Sequence, residues 1–214
     1  MSDCLLECHN ASNKFKDGGF IYSDCCELYE DGKFRSYSDN WSGNYYAKPG
    51  NRFCFGYAGH SLVNIDGKEY LQHHYPSINP LTIRFNISMP NHVRMWRKDI
   101  YRSISGHNKK MPVADDLELI IRTFLATRMI HVKKMLYLQY NNGNSTVDNN
   151  AIDINRRARL IKDYYDKHIH KRIQQLGKVD WNWNEETQCS LKTIRSGASP
   201  RFYEEEQAMN YSYE

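Results

Sequence analysis

Long apolar runs are missing from this 214-residue chain. Nowhere do about 18 apolar residues stand in succession, so no membrane-spanning helix is expected. The first stretch, MSDCLLECHNASNKF, has neither a basic start nor an apolar centre, so no secretory leader is expected. Strong charge bias is also lacking. The formal charge of +4 is too small to argue for a nucleic-acid partner by itself. The six cysteines, Cys4, Cys8, Cys25, Cys26, Cys54 and Cys189, form no CxxC pair and no secreted disulfide framework. Reduced thiols and a cytoplasmic setting are the simpler expectation. Cys4, Cys8 and His9 stand close enough to be imagined as zinc ligands, but the chain has no second ligand pair of recognised spacing. A Gly-rich phosphate loop is absent too.

What is present fits a globular domain with a real core. Hydrophobic residues make up 40% and charged residues 25% of the chain. Aromatics reach 13%, with 16 tyrosines, which favours a sheet or aromatic-lined clefts. The densest basic clusters, HNKK and NRRAR, read as solvated helix faces. NRRARLIK with the tyrosines is the one combination that fits a stacking surface for nucleic acid, but nearby acids balance its charge.

Hydrophobic periodicity predicts a short helix over Leu5–Phe15, stopped by Asp17–Gly19. FIYSDCCELYEDGKFRSYS reads as two strands joined by an Asp31-Gly32 turn. A second hairpin of this kind is expected around Asp66-Gly67. Between them SDNWSGNYYAKPGNRF is loop-like, and Pro90 favours an extended backbone just ahead of it. Val93, Trp96, Ile100 and Ile104 fall at helical spacing, with Asn91 as a plausible N-cap and Gly106 as a stop. A further helix starts at Asp115, with Leu117, Ile120, Ile121, Phe124 and Leu125 on its apolar face and Glu118 and Arg122 spaced to pair on the other. HVKKMLYLQY predicts a strand and NNGNSTVDNN a polar loop. A long helix covers Ile152 to Leu176, carried by Ile154, Ala158, Ile161, Tyr165, Ile169, Ile173 and Leu176, and Gly177 ends it. The rest is a polar tail. Alternating strands and helices argue for an α/β fold, a mixed sheet flanked by helices. The expected organisation is residues 1–150 as the main domain, 151–177 as a long C-terminal helix packed on it, and 178–214 as the tail.

The stretch MPVADDLELIIRTFLATR sets Asp115 and Asp116 side by side at a helix start. Acids in a first turn complement the positive end of the helix dipole, and a capping Asp satisfies free N–H groups. One acid suffices for that. A second is free to face a cleft, where a carboxylate can take a proton from a hydroxyl.

NHVRMWRKDIYRSISGHNKKMPVADDLELIIRTFL resembles the C-terminal half of family-two glycosyltransferases of the GT-A fold. SGHN stands where that family has a Gly-Gly-Phe-Asn turn, ADDLEL where it has an acidic pair, and Arg122 where it has the basic residue of the helix. FIYSDCCELYEDGK looks like the family's strand, turn and strand, and HVKKMLYLQYNNGNST like its later strand and loop. The resemblance spans about Leu5 to Val147 and is most specific over residues 91–128. It implies inverting transfer of a sugar from a nucleotide-sugar donor to an acceptor hydroxyl of a saccharide or protein. Asp116 would be the general base and Asp115 an orienting group. Asn91, His92, Trp96, Gly106 and His107 would shape the sugar pocket, and Gln139 and Tyr140 would lie near the donor or on a sheet edge. The second glycine of the turn is missing at His107. The family's Asp-x-Asp motif, which holds manganese or magnesium against the donor diphosphate, does not occur upstream of the first hairpin. The resemblance therefore implies the acceptor side of a transferase, inactive without a nucleotide-binding half: a fragment, a split gene whose second chain supplies that half, or a degenerate protein. A non-catalytic binding module on the same scaffold is the alternative.

Overall fold

A computed structural model of the chain describes residues 2–34, 59–75, 78, 83, 90–143 and 146–176. Helix α1 (Cys4–Lys14) leads into strand β1 (Gly18–Tyr29). Strands β2 (Gly59–Ile65) and β3 (Lys68–His74) form a hairpin. The short strand β4 (Arg94–Trp96) runs into helix α2 (Lys98–Ser103). Helix α3 (Asp115–Ala126), strand β5 (Arg128–Asn141) and helix α4 (Thr146–Leu176) complete the order. The five strands make one mixed sheet, in agreement with the α/β expectation.

β1 is the hub. Its residues from Gly18 to Tyr29 pair in parallel with β5. Its first half pairs antiparallel with β4 (Phe20 opposite Trp96, Tyr22 opposite Arg94). Further along, Cys25 lies opposite His73 of β3. A strand flanked in this way is buried throughout, and every β1 residue except Tyr29 is buried. That explains its nearly continuous apolar sequence. The parallel register slips at Ser23/Asp24 and at Asp24/Cys25. Irregularities of this type bend a strand and re-aim side chains, and Asp24 sits at the centre of this one.

The main core lies between the sheet and helices α3 and α4. Phe20 and Tyr22 pack there with Ile120, Ile121, Phe124 and Ile161. A second, smaller core joins α1 to the sheet through Cys8, Ile21, Ile130 and Leu136. Burial, with Cys4 beside it, pushes the Cys8 thiol up to about 11. The exposed His9 ring binds Asn13 instead of turning toward the cysteines.

Several sequence expectations fall where predicted. The Asp31-Gly32 turn closes through Gly32 N–H to Tyr29 O and leads to a Leu28–Phe34 bridge. The second hairpin turns at Asp66-Gly67, both in the left-handed region, which is the geometry a tight hairpin requires. Leu117, Ile120, Ile121 and Phe124 of α3 are buried as its period predicts, as are Ala158, Ile161 and Ile169 of α4.

Two boundaries differ. Residues 94–96 form a strand, and the helix begins only at Lys98. Pairing with β1 outweighs the helical spacing of Val93 and Trp96. Asn91 is accordingly not an N-cap, and its amide binds Gln139 at 2.7 Å. The long helix begins at Thr146, taking in VDNN, and is irregular at Asn150. Asn150 Nδ2 donates to Thr146 O there, an example of a short polar side chain competing with the helix ladder. The 38–53 loop, the segment leading up to Pro90, the Gly177 stop, the 178–214 tail, Cys54 and Cys189 lie outside the described residues.

Candidate functional site

The acidic pair opens α3 from an unusual start. The N-cap position belongs to Ala114, which adopts φ 60° and offers no side-chain cap. Both aspartates therefore stand inside the first turn, a correction to the expectation that one of them caps it. They diverge. Asp116 Oδ1 accepts from the Leu117 N–H at 2.8 Å, and its Oδ2 accepts from Arg94 Nη1 at 2.9 Å. Asp115 Oδ2 meets His107 Nδ1 at 2.7 Å. The Asp116 side chain keeps 46% of its surface exposed, against 10% for Arg94. The second acid is thus anchored at its base and open to solvent above.

β4 and the turn after α2 bring the other expected residues around this carboxylate. Arg94 Nε also donates to Pro90 O at 2.7 Å and Asn91 O at 3.1 Å. One guanidinium thereby ties the 90–91 segment to the acidic pair. His92 Nδ1 lies 2.9 Å from Asn91 Oδ1, and its ring packs on Tyr137 with centroids 5.0 Å apart. Burial and the Arg94 charge push the His92 imidazole below its ordinary value, with Asp116 acting the other way. Trp96 is tied more to the core than to a cleft. It packs on Phe20 at 4.7 Å and donates Nε1–H to Thr123 Oγ1 at 2.8 Å, although its edge still faces His107. Gln139 serves Asn91, while Tyr140 is an exposed residue on β5.

The Ser105-Gly106 turn carries two left-handed residues in succession. A Cβ at Gly106 would lie 2.8 Å from the Tyr101 ring. Arg122 holds this turn. It donates Nη1–H to Ile104 O and Nη2–H to Gly106 O, and it pairs with Glu118 at 2.6 Å. Glu118 in turn accepts from the Tyr165 hydroxyl of α4 at 2.6 Å. The pairing expected of Glu118 and Arg122 is present, and its use is to fix the turn that presents His107.

Sequence reasoning missed Arg94, which lay inside a segment read as helix. It also missed a second polar group centred on Asp24, 1% exposed in the middle of β1. Gln72 Nε2 and His74 Nδ1 meet Asp24 Oδ2 at 2.7 and 3.1 Å. His131 Nε2 and the Tyr75 N–H meet Oδ1 at 2.7 and 3.0 Å. Burial raises the Asp24 carboxyl, but the bonds from His131 and His74, the His131 charge and the Tyr75 amide outweigh it and hold the group down to about 2. The His131 ring stacks on Tyr22 at 4.6 Å. An aspartate within an apolar strand, with histidines on two other predicted strands, was the available signal.

The resemblance also implies a divalent metal. Among the described residues no group of three or more His, Cys, Asp or Glu side chains is placed to hold one. The resemblance places that metal on the Asp-x-Asp motif of the nucleotide-binding half, not on Asp115 or Asp116. None of the described helices is long and apolar enough to cross a membrane. No family model matches the chain, and no curated protein matches it.

Proposed function

We propose that the chain carries the acceptor side of an inverting glycosyltransferase, with Asp116 as the general base. The observation that supports this most is the division of labour within the acidic pair. Asp115 meets His107 through Oδ2 and keeps 36% of its side chain exposed, less than Asp116. Asp116 is fixed by Arg94 and a helix amide, yet nearly half exposed. A base must be held still and still reach an incoming hydroxyl, and Asp116 meets both conditions. Asn91, His92 and His107 stand around it as polar groups able to orient a saccharide. In the reaction the acceptor O–H gives its proton to Asp116 Oδ2 while its oxygen attacks the anomeric carbon. The bond from that carbon to the nucleoside diphosphate breaks, and the configuration inverts. Arg94 keeps the carboxylate in place and is a positioning residue.

The test is transfer from a panel of nucleotide sugars to saccharide acceptors with manganese present, for the wild type and Asp116→Asn. Loss of a general base costs about 100-fold or more. Turnover that survives in Asp116→Asn overturns the assignment. The chain alone is expected to be inactive, so the assay is run with a nucleotide-binding half supplied in trans; a wild type that binds saccharides, seen by saturation-transfer NMR, yet never turns over in that mixture points to the non-catalytic module instead.

A further inference from the structure

Where the β2–β3 hairpin meets β1, apart from the acidic pair, the structure brings a hydroxyl, an imidazole and a carboxylate together. Ser61 Oγ lies 2.9 Å from His74 Nε2, and His74 Nδ1 lies 3.1 Å from Asp24 Oδ2. Ser61 is exposed, the His74 side chain is 38% exposed, and the Asp24 side chain is 1% exposed. The chain therefore runs from a buried anion to an accessible hydroxyl. Strand register builds it: Ser61 lies opposite Gln72, two residues before His74 on the same face, and Asp24 is the β1 neighbour of the Cys25–His73 pair.

The partners fix the proton positions. Gln72 Nε2 also lies 3.4 Å from His74 Nδ1, but that amide donates to Asp24 Oδ2 at 2.7 Å. The shorter contact of Nδ1 is to the Asp24 carboxylate at 3.1 Å, which only accepts hydrogen bonds, so the proton of a neutral His74 sits on Nδ1. Nε2 is then bare and accepts from the Ser61 hydroxyl. This is the arrangement that activates a serine nucleophile: base against hydroxyl, with a third group fixing the tautomer of the base. His131 and Gln72 brace Asp24 from its other sides.

We propose that Ser61 is a nucleophile toward activated acyl esters, with His74 as its general base and Asp24 as the positioning residue. The Ser61 oxygen attacks the acyl carbonyl, and its proton passes to His74 Nε2. The bond from the carbonyl carbon to the leaving alcohol breaks as His74 returns that proton to the departing oxygen. Water, deprotonated by His74, then cleaves the acyl-serine to carboxylic acid and free Ser61. No oxidant or further reactant is needed.

The full chain is incubated with 4-nitrophenyl acetate and, separately, with a fluorophosphonate probe, and the labelled peptide is located by mass spectrometry. The expected result is a single adduct on Ser61, absent in Ser61→Ala and formed about 100-fold more slowly in His74→Gln. His74 is partly exposed, so His74→Gln is expected to remain folded, as circular dichroism would verify. In Asp24→Asn the imidazole loses its anionic neighbour, and the pH profile of labelling moves to lower pH, a change that a merely structural Asp24 would not cause. Labelling at another residue, labelling indifferent to His74→Gln, or no adduct with either reagent overturns the proposal.

Discussion

Asp24 and Arg94 illustrate how a buried charge is tolerated at the scale of one residue. Each sits in a low-exposure position and each is held by several named hydrogen-bond partners, which lowers the penalty of burying a charge. The Asp24 carboxyl is held at about 2 against an ordinary 3.8. A group whose pKa is lowered by folding contributes stability above its unfolded value and loses it as pH falls through the folded value. The contribution, on the order of 2 kcal/mol, is therefore expected to be complete above about pH 4 and to vanish between about 4 and 2. Urea denaturation across that range would show it, and the corresponding slope should be absent in Asp24→Asn. The Arg94–Asp116 pair is different. Asp116 is half exposed, so a double-mutant cycle is expected to return less than about 1 kcal/mol of coupling. Arg94→Ala by itself should cost about 1–3 kcal/mol, because it strips donors from the Pro90 and Asn91 carbonyls.

At the scale of elements, two glycines separate steric from conformational demands. Gly67, in the β2–β3 turn, has φ +78° and open space where a Cβ would go. Gly67→Ala is expected to cost about 1 kcal/mol, all of it backbone strain. Gly19, in β1, would place a Cβ 2.5 Å from Thr127 Oγ1 and 2.6 Å from Ile100 Cγ1. Gly19→Ala should cost about 1–3 kcal/mol by overpacking, and truncating Ile100 to Ala, which removes the Cγ1 atom in the way, should recover part of the packing clash, whereas no neighbouring truncation can rescue Gly67→Ala. Denaturant midpoints of these variants decide this. Periodicity made α1, α3, β5 and most of α4 legible in the sequence. It failed at residues 93–97, where the same apolar spacing served a three-residue strand. The strand forms because β1 offers Phe20–Tyr22 as pairing partners, a condition that no local window contains.

At the scale of the molecule, among the described residues a side-chain chain links α4 to the proposed site: Tyr165, Glu118, Arg122 and the 104–106 turn. Burial and the bond to Glu118 raise the Tyr165 hydroxyl well above its usual range, so it remains a donor across the accessible pH range. Tyr165→Phe is expected to cost about 1 kcal/mol and to speed amide exchange in residues 104–107, as hydrogen-exchange mass spectrometry would show. Glu118→Gln leaves a mostly buried Arg122 without its counter-ion and should cost about 3–5 kcal/mol.

The acidic pair, the apolar faces of the helices, the Asp31-Gly32 turn and the Asp66-Gly67 hairpin were decided by the sequence alone, because each depends on residues within a turn or two of one another. The fate of the side chains was not. Which aspartate is open, which arginine holds it, and which histidines surround Asp24 depend on contacts across 22 to 107 positions. Only the closing of β3, β4 and β5 around β1 sets those distances, since hydrogen bonds and charges act through space and not along the chain.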